Sequence, residues 1–271
     1  MYLTKHPDPA GARWALDGRF LPAGFSLGEL LRMTRADAIT YLRNLPPGGA
    51  AGHALLPPVE ADHEVWAAGV TYLRSREARE AESAARDVYA RVYEADRPEL
   101  FFKAAGWRVA GHDGPIRVRG DSGWNVPEPE LTLVVNARGE VAGFTAGNDV
   151  SSRDIEGENP LYLPQAKVYD GSCAIGPGIL LAAPEDLLDI GIEVVIVRAG
   201  RTVFEGGTRT SRMKRSFEEL VSYLGRALDF PRGVFLMTGT GIVPPDAFTL
   251  APGDAVRVRV GPLTLENHVA P

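Results

Sequence analysis

Two apolar runs, Leu131-Thr132-Leu133-Val134-Val135 and VAGFTAG at 141–147, face each other across a short polar turn at Asn136 to Gly139. Runs of this length, rich in β-branched residues and broken by an Asn/Gly turn, read as paired strands. The first of them is apolar enough to read as a buried strand. A chain with such a hairpin at its middle is committed to a β-rich fold. The 30 Gly and 21 Pro agree, since they point to many turns between short strands and away from a helical bundle.

The same hairpin carries acid. The stretch NVPEPELTLVV places Glu128 and Glu130 one residue apart at the mouth of the first strand. Residues i and i+2 of a strand share a face, so these carboxylates project together about 7 Å apart along the backbone. Left bare they repel, and each raises the proton affinity of the other. An isolated pair of this kind is either a solvated strand end or a pair of cation ligands. Asp149 closes the second strand and returns near the pair if the strands form a hairpin. Three carboxylates with no His or Cys beside them make a hard oxygen site, which suits Mg²⁺, Mn²⁺ or Ca²⁺ and disfavours zinc. The five histidines, His6, His53, His63, His112 and His268, show no metal spacing and read as surface or structural residues.

Around this hairpin the chain divides into residues 1–60, a small mixed N-terminal domain, and residues 61–271, a larger β-rich domain, joined across the breaker-rich PPGGAAGHALLPP. In the first, RWALDGRFLP suggests a hairpin turning at Asp17-Gly18, and Ser26 and Thr34 are candidate helix N-caps. In the second, EVWAAGVTY opens as a strand. Residues 73–96 form the strongest helical stretch, with Glu82 and Arg86 as an i,i+4 pair, and SFEELVSYLGRALDF is a second amphipathic helix. Strands are expected at ELFFKAA, IRVRG, CAIGPGILLA, IGIEVVIVRAGRTVFEGG, GVFLMTG and AVRVRVGPLTLENHVA. The fold class is α+β and β-rich.

A net charge of −6 with no dense basic block argues against nucleic acid and against an anionic membrane surface as partners. The single cysteine, Cys173, permits no intrachain disulfide, and no apolar run approaches a membrane span. The expected location is the cytoplasm, and Cys173 reads as a small buried hydrophobe. GDSGW at 120–124 imitates a serine-protease string without a paired His and reads as a turn. TGTGIVPP lacks a phosphate-loop lysine. Asp154 is expected to pair with Arg153 or a backbone amide.

The ordered series PELFFKAAGWRV, EPELTLVV, GNDVSSRDIE, QAKVYDG and LMTGTG resembles the fumarylacetoacetate hydrolase family over roughly residues 64 to 268. The resemblance implies a mixed β-roll or sandwich, and a divalent ion, usually Mg²⁺, held by Glu128, Glu130 and Asp149. It implies that Lys167 is the active-site lysine and that Gly239-Thr240 lie near substrate. Hydrolases of this family carry a His and a Glu in the segment that here reads TYLRSREA. Tyr72 matches, but Ser75 and Ala78 stand at the dyad positions, and neither serves as a base at neutral pH.

The stretch SSRDIEGENPLYLPQAKVYDGSCAIGP instead resembles the branch that dehydrates 2-keto-3-deoxy sugar acids. Glu156, where many family hydrolases use Gln, is then expected in the pocket. The implied chemistry converts a 2-keto-3-deoxy-pentonate to 2,5-dioxopentanoate through a metal-stabilised enolate. Lys167 is a base, a charge partner or a Schiff-base lysine, because burial and neighbouring acids pull its proton affinity in opposite directions. The cover formed by residues 74 to 97 would bring Arg74, Arg76 or Arg79 toward an anionic keto acid. The alternatives are a hydrolase of fumarylacetoacetate or acylpyruvate type, and a non-catalytic sugar-acid-binding protein on the same scaffold. A homodimer or larger homo-oligomer is also implied.

Overall fold

A computed structural model describes residues 1–82 and 86–271; the side chains of 79, 81, 82, 86, 87 and 89 are also outside the described set. The expectations for Arg79 and for the Glu82–Arg86 pair therefore fall outside the described residues. In chain order the elements are β1 (Tyr2–Asp8), β2 (Gly11–Leu16), β3 (Arg19–Phe20), α1 (Leu27–Leu30), α2 (Arg35–Asn44), β4 (Glu64–Gly69), α3 (Leu73–Glu82), α4 (Arg86–Glu94) and β5 (Glu99–Ala105). The chain continues with β6 (Pro115–Ile116), β7 (Asn125–Val126), β8 (Pro129–Val135), β9 (Val141–Asp149), β10 (Ser151–Ser152), α5 (Arg153–Glu158), α6 (Leu163–Lys167) and β11 (Cys173–Leu181). It ends with β12 (Gly191–Arg198), β13 (Arg201–Arg209), α7 (Phe217–Leu224), β14 (Val234–Met237), β15 (Ala255–Val260) and β16 (Leu263–Val269).

Among the described residues a nine-stranded sheet runs β3-β2-β1-β11-β9-β8-β14-β4-β5, and a five-stranded sheet runs β13-β12-β15-β16-β6. Their facing apolar sides form one core. Leu131, Leu133, Phe144 and Ala146 of the large sheet join Val194, Ile196, Val258 and Leu265 of the small one. The opposite face of the large sheet packs Val65, Ala67, Phe235 and Met237 in one cluster with Leu27, Leu30 and Leu42 of the first two helices. Every residue of β8 and β9 is buried, as a central hairpin covered on both faces requires.

The local signals act as their chemistry dictates. Asp17 and Gly18 both take positive φ, the backbone that a two-residue hairpin turn needs. Ser26 and Thr34 cap α1 and α2 by accepting the backbone N–H of Glu29 and Asp37. Two expectations shorten. IRVRG contributes only the two-residue β6, and α7 stops at Leu224 because Gly225 caps it, well short of Phe230.

Candidate metal centre and its surroundings

The hairpin register brings the acids together. Pro129 pairs with Asn148 and Glu130 with Gly147, and the Asp149 N–H donates to Glu128 O at 3.0 Å. Glu128 therefore faces Asp149 across the strand pair, with Glu130 beside them on the same face. One carboxylate oxygen from each of the three lies within 4.8 Å of the others. The residues are 4%, 1% and 1% exposed, which rules out a solvated strand end.

Cations and donors surround them. The Lys167 ammonium, at the end of α6, donates to Glu128 Oε2 at 2.8 Å, Asp149 Oδ2 at 3.2 Å and Ser151 Oγ at 2.6 Å. Arg153 Nη2 lies 3.0 Å from Glu128 Oε1. Lys103 Nζ lies 2.5 Å from Asp149 Oδ1 and donates to the carbonyls of Val150 at 3.1 Å and Lys167 at 2.5 Å. The Gly239 N–H donates to Glu130 Oε2 at 2.7 Å. Gly239 needs to be glycine: its φ is +91°, and a Cβ there would meet Thr71 Oγ1 at 2.1 Å.

Burial pushes the Glu130 carboxyl well above the usual carboxylate range, and the Asp149 and Glu128 charges push the same way, against Lys167 and the Gly239 amide. Two like charges roughly 4 Å apart repel by about 4 kcal/mol at an effective dielectric of about 20. Glu130 is the member least served by the protein's own cations, and a divalent ion would supply what it lacks. The all-oxygen donor set and the proton-hungry Glu130 fit Mg²⁺ or Mn²⁺, with Ca²⁺ as the larger alternative.

A second acidic group, Glu60, Asp62 and His63, also brings possible ligand atoms together. Its atoms are committed to structure. Glu60 accepts the N–H groups of Leu27 and Gly28 at 2.7 and 3.0 Å, closing the start of α1. His63 Nδ1 accepts the Glu60 N–H, and Nε2 bonds the Arg232 carbonyl. His63 is thus a structural residue, in line with the reading of the histidines.

A cavity beside the three acids is lined by Ser75, Glu99, Phe101, Glu156, Lys167 and Thr240, among others. Ser75 is 4% exposed and Ala78 7% exposed, so no carboxylate or imidazole stands at either position. Tyr72 is buried just outside the cavity lining, its hydroxyl pushed upward by burial and by the Glu130 charge. Arg74 lies elsewhere: its side chain is 63% exposed and 4.0 Å from Glu77. Arg76 reaches Glu80 at 3.3 Å and Glu94 at 3.6 Å. Val70 lines the cavity at φ +52°, a conformation that costs a β-branched residue about 1–3 kcal/mol.

Three residues here escaped the sequence reading. Lys103 sits in the apolar strand ELFFKAA, and a lone lysine in such a run was the available signal. Glu99 begins the same strand. Arg153, read from the sequence only as one of two alternatives for Asp154, pairs with Glu128. Asp154 instead accepts from Ser122 Oγ at 2.6 Å and the Gly123 N–H at 2.7 Å, so the backbone-amide alternative holds. Cys173 is 1% exposed, its thiol pushed by burial up to about 12.

Residues 64–270 match the model of the fumarylacetoacetate (FAA) hydrolase C-terminal family. A Haloferax volcanii protein named probable 2-keto-3-deoxyxylonate dehydratase is 52% identical over 221 residues, covering 80% of this chain and 75% of that one. The 2-dehydro-3-deoxy-D-arabinonate dehydratase of Saccharolobus solfataricus is 44% identical over 202 residues, covering 73% of this chain and 68% of its own length. The solved apo structure of a 2-keto-3-deoxy-D-arabinonate dehydratase superposes with a TM-score of 0.87 at 33% identity, covering 100% of this chain and 99% of the other. A structure of such an enzyme complexed with magnesium and 2,5-dioxopentanoate gives a TM-score of 0.84 at 33% identity, with the same coverage.

Proposed function

From a chain that belongs to the fumarylacetoacetate hydrolase family, we propose a Mg²⁺-dependent dehydratase that converts a 2-keto-3-deoxy-pentonate to 2,5-dioxopentanoate and water. The observation that carries this reading is the buried convergence of Glu128, Glu130 and Asp149 beside Lys167, in a chain 52% identical to a dehydratase over 221 residues. The absence of a His–Glu dyad at Ser75 and Ala78 supports dehydration over hydrolysis, since nothing there activates a water.

Glu128, Glu130 and Asp149 would hold the ion, which supplies Lewis-acid polarisation of an α-keto acid. The chain's own residues move the protons. A C3–H bond breaks, the C4–O bond breaks with its oxygen leaving as water, and tautomerisation yields the aldehyde at C5. In the resting site Lys167 has acceptors for all three of its N–H bonds, Glu128, Asp149 and Ser151, which is the pattern of an ammonium. It can balance the three acids and give a proton to the departing C4 oxygen. Glu156 and Glu99 are the cavity carboxylates able to take the C3 proton. Ser75 and Thr240 offer hydroxyls to the substrate, and the Gly239 amide holds Glu130.

No helix among the described residues is long and apolar enough to cross a membrane. A cytoplasmic setting, a homodimer or larger assembly, and a division near residue 60 complete the proposal.

The test is an aldehyde assay with purified protein, Mg²⁺ and 2-keto-3-deoxy acids of both C4 configurations, with acetylpyruvate in parallel. We expect aldehyde from at least one keto acid, its loss in EDTA and in Glu130→Gln, and its return with Mg²⁺ or Mn²⁺. Rapid pyruvate release from acetylpyruvate, with no dehydration of any keto acid, overturns the reading in favour of a hydrolase.

A further inference from the structure

Apart from the Lys167 contacts to Glu128 Oε2 and Asp149 Oδ2, each of the three acids has one carboxylate oxygen held by a further donor of the protein. Lys103 takes Asp149 Oδ1 at 2.5 Å, Arg153 takes Glu128 Oε1 at 3.0 Å, and the Gly239 N–H takes Glu130 Oε2 at 2.7 Å. Donors on three separate segments thus form a collar that leaves at most one oxygen per carboxylate for a cation. Calcium reaches its six to eight ligands by letting carboxylates bind through both oxygens, whereas Mg²⁺ takes six ligands in a tight octahedron and favours single oxygens. We propose that this collar, with Lys103 as its positioning residue, selects small octahedral cations over Ca²⁺ by forbidding two-oxygen ligation.

Lys103 is the member best placed for the task. It is fully buried, and the carbonyls of Val150 and Lys167 fix its ammonium so that it cannot swing off Asp149. The Lys167 carbonyl also accepts from Ser172 Oγ at 2.9 Å, which anchors that end of the arrangement. Arg153 is likewise buried, at 2% exposure. None of these donors touches the open side of the cavity, so their geometry is set before any ion arrives.

The inference rests on the metal-centre reading above, and a ratio separates it from that reading. Removing the Lys103 charge strengthens the pull on every divalent cation alike, because Mg²⁺ and Ca²⁺ carry the same charge. A change in the Ca²⁺-to-Mg²⁺ affinity ratio therefore reports ligation geometry and cancels the charge effect. Mn²⁺ bound to the whole protein is followed by its paramagnetic resonance signal, and Mg²⁺ or Ca²⁺ is titrated in to displace it, in wild type and in Lys103→Met.

We expect wild type to bind Ca²⁺ no more tightly than Mg²⁺. In Lys103→Met, which keeps the apolar stem, the ratio should move toward Ca²⁺ by about tenfold as Asp149 Oδ1 loses its cation and becomes open to two-oxygen ligation. An unchanged ratio in a folded Lys103→Met protein overturns the proposal while leaving the metal centre standing. If Lys103→Met fails to fold, wild type still decides, since tighter binding of Ca²⁺ than of Mg²⁺ overturns the collar. Failure of wild type to bind Mn²⁺ at all overturns both readings.

Discussion

The ammonium of Lys167 bonds Glu128 Oε2 at 2.8 Å, joining the last turn of α6 to the mouth of β8 inside an almost fully buried site. Since the same ammonium also reaches Asp149, it opposes the charge of two proposed ligands without being one. Lys167→Met removes the cation and the proton and keeps most of the stem. We expect kcat to fall by roughly 10²- to 10⁴-fold, with the fold retained and Mg²⁺ held as tightly as before or slightly more tightly. Steady-state kinetics beside a metal titration check this. A large rise in KM at near-normal kcat would make Lys167 a substrate anchor and move attention to Glu156 and Glu99.

His63 makes stability depend on pH. Burial lowers its affinity for a proton below the ordinary value of 6.5, and the Arg232 carbonyl and the Glu60 and Asp62 charges offset this only in part. The folded state binds this proton less readily than the unfolded state does. The stabilising contribution is therefore full above pH 6.5 and is lost as pH falls from there toward the lower folded-state value. Thermal melts of metal-free protein across this window should show falling Tm, and His63→Gln should flatten that part of the curve. An identical slope in the variant would refute the assignment.

Arg215 fastens the helical cover. It is 7% exposed, donates to the carbonyls of Val92 at 3.2 Å, Asp96 at 3.1 Å and Ala95, and pairs with Glu219 at 2.6 Å. These are last-turn and following carbonyls of α4, which have no helical partner of their own. Next to it, the Lys214 N–H bonds Thr71 O at 2.9 Å and Lys214 Nζ reaches Glu94 at 2.8 Å, so one short segment grips both ends of the stretch between β4 and β5. Leaving such carbonyls unpaired costs about 1–3 kcal/mol. Arg215→Ala should cut more readily in limited proteolysis between residues 73 and 96, and its KM should rise more than its kcat falls. Wild-type digestion rates in the variant would count against a fastening role.

Local chemistry made part of this protein legible in its sequence. The β8–β9 hairpin is set by two apolar runs and a four-residue turn, so the side-chain period of two brings Glu128, Glu130 and Asp149 to one face without help from distant residues. The Asp17-Gly18 turn and the Ser26 and Thr34 caps are equally local.

The donors around the acids were a different matter. Lys103 lies on β5, at the far edge of the large sheet, Arg153 opens α5 and Gly239 follows β14. The lone lysine in the apolar ELFFKAA is a weak signal of burial, because a lysine in a strand is ordinarily solvated. Only the meeting of separate segments at the end of the sheet gives that ammonium a carboxylate and two carbonyls, and so makes its burial tolerable. The sequence by itself determined which acids converge, since one hairpin carries them all. The tertiary structure decided which oxygens of those acids remain for a cation, since the donors that cover the others come from distant parts of the chain.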